Sequence, residues 1–299
     1  MNSQSQSTCR ILSIDGGGIR GIIPGTILNT IETAVGGPLA NHFHLIAGTS
    51  TGGILAAGLA YELPVPKLLE FYTKQGPGIF SSTYLGMVGG PKYPFEPLEA
   101  ALKSAFGDTK LSELQHDLLC PAYDIQARSD LIFKSWKARG IEETSPDVSD
   151  FLVREITRAT AAAPTYFAPA LVKNVAGTQF PCIDGGMYGN CPALLAFVAA
   201  RRLMPLATRF LVVSIGTGAI ETPISIADAT SWGVVGWATT LLDILFSAMG
   251  DTVDYELDQL APLVSHLRLQ SSLTGASDAM DDASPGNLAS LAACGTRTV

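Results

Sequence analysis

Short apolar runs recur along the chain, and between them lie longer stretches whose apolar positions return at helical spacing. Residues 10–15 form the first run and open directly into Gly16-Gly17-Gly18. Residues 22–35 then take helical spacing, with Pro24 in the first turn, where a missing N–H is tolerated. Residues 43–47 predict a second strand, and a helix follows Ser50 to about residue 61. Pro64 and Pro66 close that helix and start another at residues 67–74. Residues 118–125 and 131–136 predict strands around a turn at Arg128-Ser129-Asp130, and residues 151–162 a helix ended by Pro164. A strand at 179–183 delivers Asp184-Gly185-Gly186, and a helix follows at 192–203. The continuous run at 209–215 predicts a central strand covered on both faces, and the alternation at 265–270 an edge strand. This order predicts a three-layer α/β fold, with a central, mostly parallel sheet and helices on both faces. One domain is expected over residues 8–288. Residues 271–299 are expected to be loosely attached, with the order of 289–299 left open.

Two stretches depart from the alternation. Residues 76–97 are rich in Gly, Pro, Tyr and Phe with little periodicity, which predicts a loop long enough to serve as a lid over a cleft. Residues 232–249 are apolar but contain Asp243 and lack flanking Lys or Arg. They predict a buried or half-buried helix and not a membrane span. Trp232, Trp237, Leu241, Leu242 and Phe246 on it, with Tyr84 in the aromatic loop, are candidates for peripheral membrane contact.

Composition narrows the classes. In 299 residues, 47% are hydrophobic and 15% charged, so the chain can bury a large core. The net charge of -8 argues against a nucleic-acid partner and against purely electrostatic docking on anionic membranes. The five cysteines are scattered and form no C-x-x-C pair, which speaks against a disulfide framework or a zinc site. The polar, uncharged N-terminus lacks the features of a signal peptide, so a cytoplasmic location is expected. No sequence feature reports the oligomeric state.

The chemistry concentrates in three glycine-rich places. Gly48-Thr49-Ser50-Thr51-Gly52 is a G-x-S-x-G segment between a strand and a helix, the context of a nucleophile elbow with Ser50 at its apex. Gly48 and Gly52 allow strand and helix to close on each other. Asp15-Gly16-Gly17-Gly18-Ile19-Arg20-Gly21 opens a helix after a strand and presents several backbone N–H groups. That loop suits either a phosphate cradle in a nucleotide- or signal-binding module, or an oxyanion hole. The acidic residue that a dinucleotide fold places about 20 residues further on could only be Glu32, inside the predicted helix, and no Walker lysine is present. The third place is Ile183-Asp184-Gly185-Gly186, an acid at a strand end.

A serine nucleophile needs a base, and the four histidines are poorly placed. His42 and His44 precede Ser50 in the strand region, His116 lies in a polar loop, and His266 lies within the alternating strand. That leaves Asp184 as a candidate base. A carboxylate with a reference pKa near 4 would need a desolvated site beside Ser50.

These motifs, in this order, resemble the patatin-like phospholipase family. The similarity includes Arg158-Ala159-Thr160-Ala161-Ala162-Ala163-Pro164-Thr165-Tyr166-Phe167, Ser214-Ile215-Gly216-Thr217-Gly218 and Met280-Asp281-Asp282-Ala283-Ser284, and it extends over about residues 8–288. The resemblance implies a patatin-like fold and a metal-free lipid acyl hydrolase without cofactor, acting on phospholipids or other acyl lipids through a Ser–Asp dyad. It implies Ser50 as nucleophile, Asp184 as base, and the N–H groups of Gly16, Gly17 and Gly18 as oxyanion hole with Arg20 in support. A signal-regulated lipase is also compatible. Asn190-Cys191-Pro192 departs from the Asn-Asn-Pro of many members.

Overall fold

The computed structural model describes residues 7–81, 89–142 and 145–299. Eight strands lie among them: β1 (Thr8–Ile14), β2 (Leu45–Gly48), β3 (Leu118–Asp124), β4 (Ser129–Lys134), β5 (Ala170–Lys173), β6 (Gln179–Asp184), β7 (Arg209–Ile215) and β8 (Val264–Leu269). All join one sheet in the order β5-β6-β3-β2-β1-β7-β8, with β4 also paired to β3. The run from β3 through β2, β1 and β7 to β8 is parallel. The pairs β3–β4, β3–β6 and β5–β6 are antiparallel. As the alternation predicts, β8 is an edge strand. The short β5 at the opposite edge carries too little pattern to be seen in the sequence.

Successive strand residues face opposite sides, so one apolar strand feeds two cores. On β1, Cys9 and Ile11 enter one core and Leu12 and Ile14 the other. On β2, Leu45 and Ala47 oppose Ile46 in the same way. One face is covered by Ile22–Val35, Thr51–Ala60, Glu96–Phe106, Val153–Thr160 and Pro285–Thr298, which contribute Ile27, Leu55, Leu102, Ile156 and Leu291 to its core. The other is covered by Ala193–Leu203, which buries Ala196, Phe197 and Ala200, and by Leu257 near the end of Val234–Asp258. The arrangement is the three-layer α/β fold that the sequence predicts.

The end of the chain differs from expectation. Residues 271–299 are not a loose tail: Pro285–Thr298 is a helix packed along Ile22–Val35. Leu288, Leu291, Cys294 and Gly295 are buried on its inner face. Gly295 sits so close to the Ile23 carbonyl and Thr26 that a side chain there would collide with them. The surrounding small and polar residues hide this narrow apolar stripe from a periodicity count. Within the predicted loop at 76–97, residues 80–81 and 89–95 form neither helix nor strand and 82–88 lie outside the described residues, but Gly76–Ile79 is helical and a further helix starts at Glu96. Val65–Glu70 continues through a wide, π-type turn at Phe71–Gln75 into Gly76–Ile79. Tyr84 lies outside the described residues. The apolar stretch at 232–249 belongs to the longer helix Val234–Asp258. Among the described residues, no helix is long and apolar enough to cross a membrane.

Candidate active site

Both glycines of the elbow are required by close crossing. A Cβ on Gly48 would strike the Gly52 carbonyl, and one on Gly52 would strike the Ile14 carbonyl at the end of β1. β2 can therefore turn within two residues into the helix Thr51–Ala60. Ser50 at the apex has φ 54 and ψ -125, a conformation that L residues rarely adopt. Its N–H donates to Thr160 Oγ1 at 2.9 Å, and the Thr160 hydroxyl donates to the Pro121 carbonyl at 2.6 Å. The strained serine is thus anchored by a neighbouring helix end and by β3.

Asp184 ends β6 and is fully buried. Ser50 Oγ donates to its Oδ2 at 2.7 Å, and the Gly186 N–H donates to its Oδ1 at 2.7 Å. Gly185 lies against the Pro121 carbonyl, where a side chain could not fit, and the chain bends there to bring the carboxylate over Ser50. Burial pushes the Asp184 pKa up to about 7, although the hydrogen bonds from Ser50 and Gly186 favour the charged form. Residues 134 apart in sequence thus meet at hydrogen-bond distance.

The glycine turn after β1 lies against the same serine: a Cβ on Gly16 would come within 3.1 Å of Ser50 Cβ. Its N–H groups are not equivalent. Gly16 donates to the Asn190 carbonyl at 3.1 Å, Ile19 to the Met280 carbonyl at 2.8 Å, and Arg20 to the Gly17 carbonyl at 3.2 Å. No chain acceptor faces the N–H of Gly17 or Gly18 among the described contacts. Of the three N–H groups expected to serve as donors, that of Gly16 is thus engaged by the Asn190 carbonyl. Gly18 has φ 60 and would meet the Met280 carbonyl if it carried a side chain. The Thr217 hydroxyl holds the Gly16 carbonyl at 2.7 Å. With so many of its amides engaged, the loop makes a poor phosphate cradle.

Arg20 makes no hydrogen bond to Ser50 among the described residues. Its buried guanidinium donates to the Asp278 carbonyl at 3.0 Å, two residues before Met280. Burial lowers its pKa, against the pull of Asp243, Tyr166 and Asp278. Arg268 bonds Asp15, the residue before the turn, at 2.6 Å. Cys191 is buried behind the same turn with its thiol pKa pushed well up by burial.

A cleft opens at Ser50 and Asp184. Its walls include Ile54, Phe71, Phe80, Leu98, Phe167 and Phe246. Of these, Phe167 falls, with Thr160, in the stretch before Asp184 and Phe246 among the candidates for membrane contact; Ile54, Phe71 and Leu98 carry no sequence motif. Among the described residues, no histidine bonds Ser50 or Asp184. His44 pairs with the Arg10 N–H, His116 with Glu62, and His266 with Ser214. Among the described residues, no cluster of three or more His, Cys, Asp or Glu side chains could hold a metal ion.

Taken together, fold and site define an α/β protein that sets a strained serine against a buried carboxylate at the strand ends of a mostly parallel sheet. Residues 12–197 match the family model of the patatin-like phospholipases, and the chain belongs to that family. It is similar to Patatin-like protein 3 of Arabidopsis thaliana, with 32% identity over 95% of this chain and 79% of that protein. It is likewise 32% identical to Patatin group J-1 of Solanum tuberosum, over 95% of this chain and 82% of that one. Among solved structures it is similar to VipD from Legionella pneumophila, with a TM-score of 0.45 and 12% identity, over 98% of this chain and 67% of that one.

Proposed function

We propose that the protein is a lipid acyl hydrolase that cleaves phospholipid or other acyl-lipid esters through an acyl-Ser50 intermediate. The observation that carries this reading is the 2.7 Å hydrogen bond from Ser50 to the buried Asp184 at the head of an apolar cleft. Asp184 takes the Ser50 proton as Oγ attacks the acyl carbonyl. The N–H groups of Gly17 and Gly18 then face the developing oxyanion, aided by the positive end of the helix that starts at Thr51. Collapse of the tetrahedral species breaks the ester bond, and Asp184 returns the proton to the leaving alcohol. A water deprotonated by Asp184 then attacks the acyl carbonyl, and the Ser50 Oγ–acyl bond breaks as Asp184 returns that proton to Oγ, releasing the fatty acid. A carboxylate pKa near 7 suits this task better than an ordinary one, because a base works best near the working pH.

Digestion of mixed phospholipid vesicles, with the Ser50→Ala variant as blank, tests the reading. Release of fatty acid by the wild type alone is expected, and equal release by both removes the proposal. Peripheral membrane contact belongs to the same reading. Val234–Asp258 sends Phe246 into the cleft and leaves Trp237 43% and Leu241 46% exposed. Co-sedimentation with phosphatidylcholine vesicles should fall in Trp237→Ala, and unchanged binding counts against this contact.

A further inference from the structure

Behind the cleft lies a second hollow, open to solvent along the helix Glu96–Phe106. Ile54, Phe71 and Ile79 line both spaces, so a wall one side chain thick separates them. We infer that these three side chains end the acyl channel and set the longest acyl chain it accepts. The inference rests on the proposed function for the nature of the occupant, and it deepens that reading by assigning the residues that choose among lipids.

The wall is held from the catalytic side. Phe71 and Tyr72 begin the wide turn Phe71–Gln75, and such turns swing side chains off the ordinary helical positions. Thr51, the residue after Ser50, donates through its hydroxyl to Tyr72 Oη at 2.7 Å, and Tyr72 Oη donates to the Thr51 carbonyl at 3.0 Å. Phe71 packs edge-on against the Tyr72 ring at 5.5 Å between centroids. Ile54 projects from the helix that Ser50 starts, and Ile79 from the turn just past Gln75. The end of the channel is thus referenced to the nucleophile through the Thr51–Tyr72 hydrogen bonds and the Phe71 ring packed on Tyr72. Beyond the wall, Ala100, Ala101 and Ala105 leave the space open, and Lys67, Lys74 and Gln75 line it with polar groups. A methyl end fits the apolar side of the wall and gains nothing from the polar side.

Calorimetric binding of fatty acids from octanoate to eicosanoate, measured in a Ser50→Ala background, tests the wall without relying on catalysis. Affinity should rise with chain length by roughly fourfold per methylene and then reach a plateau where the chain meets the wall. Adding Phe71→Ala should move the plateau to longer chains and strengthen binding of the longest acid by about tenfold or more. Adding Ala105→Trp to that variant should refill the outer hollow and return the profile toward its starting form. The gentler Phe71→Leu should shift the plateau in the same direction by less, which guards against loss of fold in the alanine variant. An unchanged plateau in folded Phe71→Ala and Phe71→Leu overturns the inference. A plateau that shifts while the wild type hydrolyses no ester removes the catalytic reading and leaves the wall standing.

Discussion

Ser50 and Ser214 each hold a hydrogen bond to a side chain able to take a proton, in opposite surroundings. Ser50 sits on a strained turn, donates to Asp184 and faces a cleft. Ser214 sits within β7, fully buried, with its Oγ 2.8 Å from His266 Nε2. Asp258 and Asp254 stand 3.6 and 3.8 Å from the His266 ring. On residue types alone, the second cluster is closer to a serine–histidine–aspartate triad than the first. Yet Ser214 and His266 lie on paired strands and are not among the residues that line the cleft at Ser50. Their bonds tie β7 and β8 to the helix Val234–Asp258. Reactivity in this account comes from access, backbone strain and a place for negative charge, and not from the list of side chains.

The largest expected separation is between the serines. Ser50→Ala should reduce hydrolysis of a p-nitrophenyl ester roughly ten-thousand-fold, to what binding and the N–H groups alone supply. Ser214→Ala should keep activity within about threefold, at a cost of about 1 kcal/mol in stability for the lost hydrogen bond. Comparable losses in both would break the comparison.

The bases separate next. Asp184→Asn should lose roughly a thousand-fold or more in kcat, with KM little changed, whereas His266→Asn should stay active at temperatures where it is folded. Activity retained in Asp184→Asn but lost in His266→Asn would turn the buried cluster into the working site.

The pH profile sharpens the same point. Only charged Asp184 accepts a proton, so kcat should fall about tenfold per unit below a midpoint near pH 7. A flat profile down to pH 5 contradicts that base.

A smaller effect concerns stability. The folded-state pKa of Asp184 lies above its unfolded value, so the native protein binds more protons between about pH 4 and 7. Its stabilising contribution is complete below about pH 4 and is lost as pH rises through 7. Asp184→Asn, which carries no charge, should therefore melt a few degrees higher than wild type at pH 8 and equally at pH 4. The smallest effect should be that of EDTA, which should leave hydrolysis unchanged. Calcium-dependent activity would contradict the mechanism.

Much of this arrangement is legible in the residues. Gly48, Ser50 and Gly52 mark a strand–helix crossing too tight for side chains, and the run at 209–215 marks a central strand. Asp184 followed by two glycines marks a strand end able to bend. Other parts are hidden because they depend on contacts made across the fold. The N–H of Gly16 is engaged by a carbonyl from residue 190, so no local pattern could separate it from Gly17 and Gly18. Thr160 fixes the Ser50 backbone from 110 residues away. The helix Pro285–Thr298 is weakly apolar by itself and becomes stable against Ile22–Val35. The cleft wall is drawn from three segments, and the wide turn that carries Phe71 has no signature in the sequence.

In the proposed reaction Asp184 activates Ser50. Labelling with a fluorophosphonate, followed by mass-spectrometric mapping of the adduct, tests it most directly. One adduct on Ser50 is predicted, forming more slowly as pH falls through about 7 and suppressed in Asp184→Asn. An adduct on any other residue, or labelling of Ser50 at an unchanged rate in Asp184→Asn, would contradict it.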